Sequence, residues 1–366
     1  MLKSNKKSLY ILLLLLFFEI GYADYSAFSE LKEQVALLQA KVDRVTESNA
    51  LKTEGAVTGS GYPNISDPKN FYLFIEPMVM HAKVDGTTYA YTATGPANTS
   101  PIRADSRDVK FHWDWGLRTG VAYHFPKKDW TIEASYTWIE TQGYTKASSN
   151  ILGSVMPLKG VIHLGSGVQW ASSSVSVNQD TILGVIKKSY FVSPTVSLTP
   201  YGGLKNSWIN LKQWTQYFGG ESLSNNVMHI NDKNHFWGIG PSIGSGADFY
   251  LGKGFSFIGD FQLAFQYGLF RIEYDEAQSN LTSNRIKLEE SRHQFAPNFE
   301  MNLGVKWGSY FNNNHNYFSF SAGYQMQYWF RMNQIINVLQ ANAQRYINIA
   351  EDISYVGFIM SAKLTF

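Results

Sequence analysis

From residue 71 onward the chain repeats every second residue. In VKFHWDWGLRTGVAYHF (109–125), Val109, Phe111, Trp113, Trp115, Leu117, Val121, Tyr123 and Phe125 fall on one face. Lys110, His112, Asp114, Gly116, Arg118, Gly120 and His124 fall on the other. Side chains alternate across a strand, so this pattern prescribes extended chain with two chemically opposite faces. A soluble sandwich strand alternates too, but it turns the apolar face to a core and the polar face to bulk water. Here the apolar face is heavily aromatic, and the polar face mixes charges with glycines. Lipid outside and a wet lumen inside suit that division better.

The scheme recurs. WTIEASYTW (130–138) sets Glu133 among threonines and serine, opposite Trp130, Ile132, Tyr136 and Trp138. In 255–269, Asp260, Gln262 and Gln266 oppose a row of phenylalanines, and in 295–307, Asn298, Glu300, Asn302 and Lys306 do the same. With 318–330 and the segments 71–84, 168–190, 195–212, 236–251 and 353–366, ten strands are expected. Of these, 168–190 and 195–212 alternate least cleanly, which points to a bulge or inward bend. The connections alternate between short (126–129, 191–194, 252–254, 310–317) and long (85–108, 141–166, 213–235, 275–293, 331–351). Short turns on one rim and long loops on the other mark a transmembrane antiparallel β-barrel, with both termini on the short-turn side. Aromatic residues make up 15% of the chain, enough to furnish girdles at two membrane interfaces. The expected fold is therefore all-β, with 71–366 forming an outer-membrane barrel.

Ten strands imply a lumen only slightly wider than one that side chains fill. The apolar, glycine-rich stretch NILGSVMPLKGVIHLGSGV (150–168) is expected to fold inward as a constriction; the alternative is an extra hairpin, giving twelve strands. In WGIGPSIGSGADF (237–249) the polar face is mostly glycine, so either the lumen widens there or another group packs against that wall.

Residues 1–23 read as a cleaved secretory signal: Lys3, Lys6 and Lys7 precede an apolar run, and Gly21-Tyr22-Ala23 supplies a small-residue cleavage pattern. The chain has 31 basic and 29 acidic residues; the signal carries three lysines and one glutamate, leaving a mature net charge of zero. Without a basic excess or basic block, nucleic acid is not an expected partner. Cysteine is absent, so disulfides and thiolate metal sites are excluded. Within 24–52, Phe28, Leu31, Val35, Leu38, Val42 and Val45 form a heptad seam, the expected short coiled-coil-type helix. It is expected to lie in the periplasm and to join copies of the chain into a homo-oligomer through 28–45; the other possibility is packing at the barrel mouth. Residues 53–70 read as a linker.

Two stretches resemble a known family. KKSYFVSPTVSLTPYGGLKNSWI (187–209) looks like a turn and ascending strand of the Legionella-type major outer membrane proteins, also abundant in Chlamydia-like bacteria. FWGIGPSIGSGADFYLGKGFSFIGDFQLAF (236–265) is similar to their next hairpin. The resemblance covers the layout of roughly 70–366 and implies a pore-forming outer-membrane protein, with no catalytic motif. Lacking cysteine, this chain departs from the disulfide-linked oligomers of Legionella's major protein.

No catalytic, cofactor or metal residue is expected. The eight histidines form no tight ligand spacing, and His112 with Asp114 reads as a wet inward pair. Ser242 in Gly240–Gly244 matches G-x-S-x-G, yet the alternation continues to Phe249, where a nucleophile elbow needs a helix. The expected lumen residues are Lys110, His112, Asp114, Arg118, Glu133, Asp260, Glu300 and Lys306, which could set ion preference or simply solvate the interior. Passive passage of small polar solutes or ions is the expected function. The alternatives are a surface-binding barrel with contacts through long loops and, further off, an outer-membrane hydrolase. In the last segment Leu364 and Phe358 share the lipid face, and terminal Phe366 looks like the recognition signal for the outer-membrane assembly machinery. That strand must pair with 71–84 so that no edge is left in lipid.

Overall fold

The computed structural model describes residues 59–63, 65, 69–93, 103–149, 154–161, 167–279, 281–338 and 346–366, together with Val35. The signal, the heptad helix and most of the linker lie outside the described residues. Ten long strands form the wall: β2 (Phe71–Val84), β5 (Trp113–Phe125), β6 (Trp130–Ser148), β8 (Trp170–Lys187), β10 (Val196–Phe218), β11 (Val227–Gly252), β12 (Phe255–Gln278), β13 (Leu281–Phe311), β14 (Asn316–Val338) and β15 (Tyr346–Thr365). Short strands β1 (Gly59–Ser60), β3 (Ala90–Ala93), β4 (Ala104–Arg107), β7 (Val155–Pro157) and β9 (Tyr190–Ser193) and a one-turn helix α1 (Gly220–Leu223) complete the described elements.

Each wall strand pairs antiparallel with its sequence neighbours, and β15 returns to β2, so the sheet closes on itself. The seam runs to the rim, where Phe366 N–H donates to Phe71 O at 2.9 Å and the two rings stack at 5.3 Å. Closure leaves no unpaired wall edge at the seam, which a strand in hydrocarbon requires. The count is ten, as the alternation indicated. Residues 155–157 pair with β3 rather than with wall strands, so the twelve-strand alternative does not hold.

The outer face is a band of exposed apolar side chains, with Trp208 and Trp237 along one margin and Trp130, Phe249, Phe255 and Trp307 along the other. On β11, Trp237 and Phe249 are twelve residues apart. At about 3.4 Å per residue and a tilt of about 40°, that gives a height of about 30 Å, the thickness of a hydrocarbon core. The short-turn rim is built from residues that tolerate left-handed backbone: Lys253 and Gly254 join β11 to β12, and Asn312, Asn313 and Asn314, all at positive φ, join β13 to β14.

The other rim departs from expectation. Strands continue through most of 213–235, 275–293 and 331–351, which the sequence assigns to long loops; β12 and β13 are joined across 279–280. Above the apolar band the outer wall meets water, so the outward positions turn polar and the alternation that marks a lipid-facing strand fades. Val227 lies ten residues beyond Trp237, so the wall rises about 25 Å above the band.

The top of β5 also departs. Gly116 pairs with Ile139, but Phe111 bridges Gly143, one residue out of register. A one-residue slip turns every following side chain to the opposite face. Val109 and Phe111 are consequently buried, whereas Lys110 and His112 are exposed on the outer wall, opposite to the expected facing. The irregularity expected in 195–212 is a register shift between Val196 and Ser197 against β9. The ladder of β8 on β10 is unbroken.

Candidate functional site

The interior divides into two zones. In the half towards the extended rim, Met80, Ile139, Ile209, Phe236, Phe270, Trp329 and Tyr355 from seven different wall strands pack into an apolar core. Segments of the 85–112 connection and of 154–161 fold down onto it. Tyr89, Ala90 and Val155 have no exposed surface. The wall holds them by polar bonds: Tyr217 Oη donates to Tyr89 O at 2.5 Å, and Gln213 Nε2 to Thr87 O at 3.2 Å. Lys159 reaches Asp232 at 2.7 Å and Gln213 at 2.5 Å, burying an ion pair at the lumen wall. The described part of 150–168 thus enters the barrel, as expected of a constriction.

Towards the short-turn rim the interior is polar and encloses a cavity of about 260 Å³. Strand alternation aims Arg118 (β5), Lys205 (β10) and Glu300 (β13) at one point, and together they cross the lumen. Arg118 Nη2 lies 3.1 Å from Glu300 Oε2, and its Nη1 lies 3.5 Å from Glu76 Oε2 on β2. Lys205 Nζ bonds the other carboxylate oxygen of Glu300 and also Asn298, and donates to Gln262 Oε1 at 3.3 Å. Gln325 and Gln327 donate to the same carboxylate at 3.4 and 3.2 Å. The Lys205 side chain is 1% exposed, so the low-dielectric surroundings make this bonded set costly to break. Asp260 accepts from Tyr201 Oη at 2.9 Å in the same cavity.

Nearer the rim, Glu133 is bonded by both Tyr72 and Lys187, while Lys363 sits over the Tyr72 ring at 3.5 Å from its centroid. Lys306 pairs with Asp248 at 2.6 Å. The glycine face of β11 is occupied rather than vacant: the Tyr201 ring lies where a Cβ on Gly244 would stand.

Of the expected lumen residues, Arg118, Glu133, Asp260 and Glu300 line the cavity, and Lys306 faces inward at the lower rim. Asp114 sits at the β5 bulge, accepting the Gln142 N–H at 2.9 Å; Lys110 and His112 belong to the outer wall. Sequence reasoning missed Glu76, Lys187 and Lys205, all inward by parity, and the buried pair of Lys159 with Asp232; alternation on the last strand does turn Lys363 inward, where it is found. Strand parity on β2 could have found Glu76. Among the described residues, no group of three or more His, Asp or Glu side chains could hold a metal ion. Ser242 lies mid-strand in the unbroken β11, so no elbow forms around it.

A closed antiparallel wall, an apolar band bounded by aromatics and a polar chamber behind that band define an outer-membrane β-barrel. Residues 66–366 match the family described as the Legionella pneumophila major outer membrane protein precursor, and the chain belongs to that family. No curated protein matches it. Among solved structures, the outer membrane protease OmpT from Escherichia coli is similar at 12% identity and a TM-score of 0.43, covering 84% of this chain and 100% of that one. The toluene transporter TodX from P. putida is similar at 7% identity and a TM-score of 0.25, covering 82% and 91%. The transport unit of the autotransporter AIDA-I from Escherichia coli is similar at 9% identity and a TM-score of 0.27, covering 88% and 96%.

Proposed function

We propose that this protein is a plugged, non-enzymatic pore of the outer membrane, passing small polar solutes or ions when the inserted segments move. One observation carries the proposal: a charged, hydrogen-bonded chamber at membrane depth is capped by chain segments folded into the lumen and fastened to the wall at Lys159. A barrel serving only as an anchor could fill its interior with apolar side chains, avoiding the desolvation cost of Arg118, Lys205 and Glu300. Cleavage after Ala23 would deliver the chain to the periplasm, where the assembly machinery would read the strand ending at Phe366. Residues 28–45 would then hold copies together. The mixed signs in the chamber favour small zwitterionic or neutral polar solutes over a strongly selected ion.

The test is single-channel recording of the refolded protein beside a variant in which 154–161 is replaced by a short Gly-Ser linker. Rare openings in the intact protein and sustained conductance in the variant are expected. Silence from a correctly folded variant would sink the pore. The wall above the membrane favours a second role, binding at the cell surface, which needs no open lumen.

A further inference from the structure

The outer wall above the apolar band carries a furrow that the pore does not use. Its floor is the outward face of β8, where Ser172, Ser174, Ser176 and Asn178 follow one another. Its sides are the bulkier strands β6 and β10. Cross-strand register places Tyr144 and Trp214 on either side of Ser174, and Trp138 and Trp208 on either side of Asp180. Small residues between large ones leave two contiguous hollows of about 950 and 300 Å³, which share Ser176 and Lys212.

Trp138 and Trp208 belong to the aromatic margin of the lipid band. The furrow thus begins at the membrane surface and runs upward for six residues, a height of about 15 Å. Tyr144 and Trp214, 56% and 53% exposed, stand at its top in the aqueous zone. Two strand spacings, about 10 Å, separate them. Here the two exposed rings flank one polar-lined groove, the arrangement that marks a binding surface rather than scattered apolar residues. An aromatic face takes the C–H side of a pyranose ring, while serine, glutamine and asparagine bond its hydroxyls. Gln142, Ser174, Ser176, Asn231 and Lys212 supply such groups around the two rings.

We propose that this furrow binds the saccharide part of a glycolipid in the outer leaflet of the membrane that the barrel spans. Position selects the source: acyl chains on the apolar band would bring their first sugars to Asp180 and Asn178, and the next to Tyr144 and Trp214. Apart from Asp180 at its membrane end, the floor is hydroxyl and amide, with no cationic group, so sugar contacts, not bulk charge, set affinity.

The test uses the full chain in phosphatidylcholine nanodiscs, titrated with dye-labelled rough lipopolysaccharide. The double variant Tyr144→Ala/Trp214→Ala should weaken binding about tenfold, the effect of losing paired aromatic anchors. Ser174→Trp, which fills the furrow and leaves both aromatic anchors in place, should weaken it comparably, and heat-modifiable mobility on gels checks that both variants are folded. Phosphatidylglycerol should not compete, and the delipidated oligosaccharide should bind far more weakly than the intact glycolipid. Unchanged binding in either folded variant would overturn the proposal. So would equal competition by phosphatidylglycerol, or equal affinity for the free oligosaccharide, which would place the natural ligand outside the membrane.

Discussion

Replacing Glu300 by alanine tests the polar chamber most directly. The carboxylate is divided: one oxygen serves Lys205 and Gln327, the other Arg118 and Gln325. Without it, the Lys205 ammonium retains only the neutral acceptors Gln262 and Asn298, in a site where its side chain is 1% exposed. Removing one partner of a buried pair typically costs about 3–5 kcal/mol, because the remaining charge is left uncompensated. Arg118 is 20% exposed and keeps Glu76 at 3.5 Å, so it adds little, and the low end of about 3 kcal/mol is expected. With a urea slope of about 3 kcal/mol per molar, the unfolding midpoint in lipid vesicles should fall by about 1 M. Lys205→Met/Glu300→Gln removes both charges and keeps the volume, so it should be more stable than Glu300→Ala alone. A loss below about 1 kcal/mol for Glu300→Ala, the level of an exposed pair, would refute the buried network. Strict additivity between Lys205→Met and Glu300→Gln would refute it too.

Three further outcomes follow from placement. In the plug-opened protein, Arg118→Gln should move the reversal potential towards cations and Lys110→Gln should leave it unchanged, because only Arg118 faces the lumen; a shift with Lys110→Gln would mean that the β5 slip is wrong. Gly120→Ala puts a methyl 2.5 Å from Phe74 Cζ and 2.7 Å from Ala134 O, so it should cost about 1–3 kcal/mol in the same urea assay, partly recovered by Phe74→Ala. Phe366→Ala removes a ring stacked on Phe71 and should cost about 1 kcal/mol of stability. Refolding into pure lipid should continue with that variant while insertion in cells slows; equal slowing in both would leave the aromatic only a packing role.

The wall was legible where lipid dictated it. On β2 the alternation expected over 71–84 matches the strand Phe71–Val84. It was illegible where lipid stopped: on β13, Lys287, Glu289, Ser291 and His293 face outward into water, so neither face looks buried and the strand reads as loop. The β5 slip left no trace, because VKFHW keeps its period of two straight through it while the register changes beneath. Four of the cavity's charged residues, Arg118, Glu133, Asp260 and Glu300, were found by parity within clean segments. Lys205 was not, since Pro200, Gly202 and Gly203 blur the alternation around it. The wall's partners in the plug could not be read at all, since Lys159 and Asp232 are 73 residues apart and nothing local marks either one.

How the plug is built bears on how a pore could open. About eight strands leave an interior that side chains alone can fill, so ten leave surplus volume. Filling it with backbone is costly unless every amide finds a partner. The insert supplies many of its own: β3 pairs with β4 and with β7, Leu158 N–H donates to Tyr89 O at 3.0 Å, and Ala93 N–H to Ser154 O at 2.8 Å. Wall side chains satisfy others, through Gln213 on Thr87 O and Tyr217 on Tyr89 O. A partly withdrawn insert would strand these carbonyls and the Lys159–Asp232 pair together, each at a cost, with no compensating contact until water reaches them all. Intermediate positions are therefore unfavourable, and the segment should leave or return as one unit. Single-channel records should then show one closed and one open level, with Lys159→Met raising the open fraction without altering the open conductance. A continuous spread of conductances would mean that the insert frays residue by residue, and that its bonds to the wall do not act together.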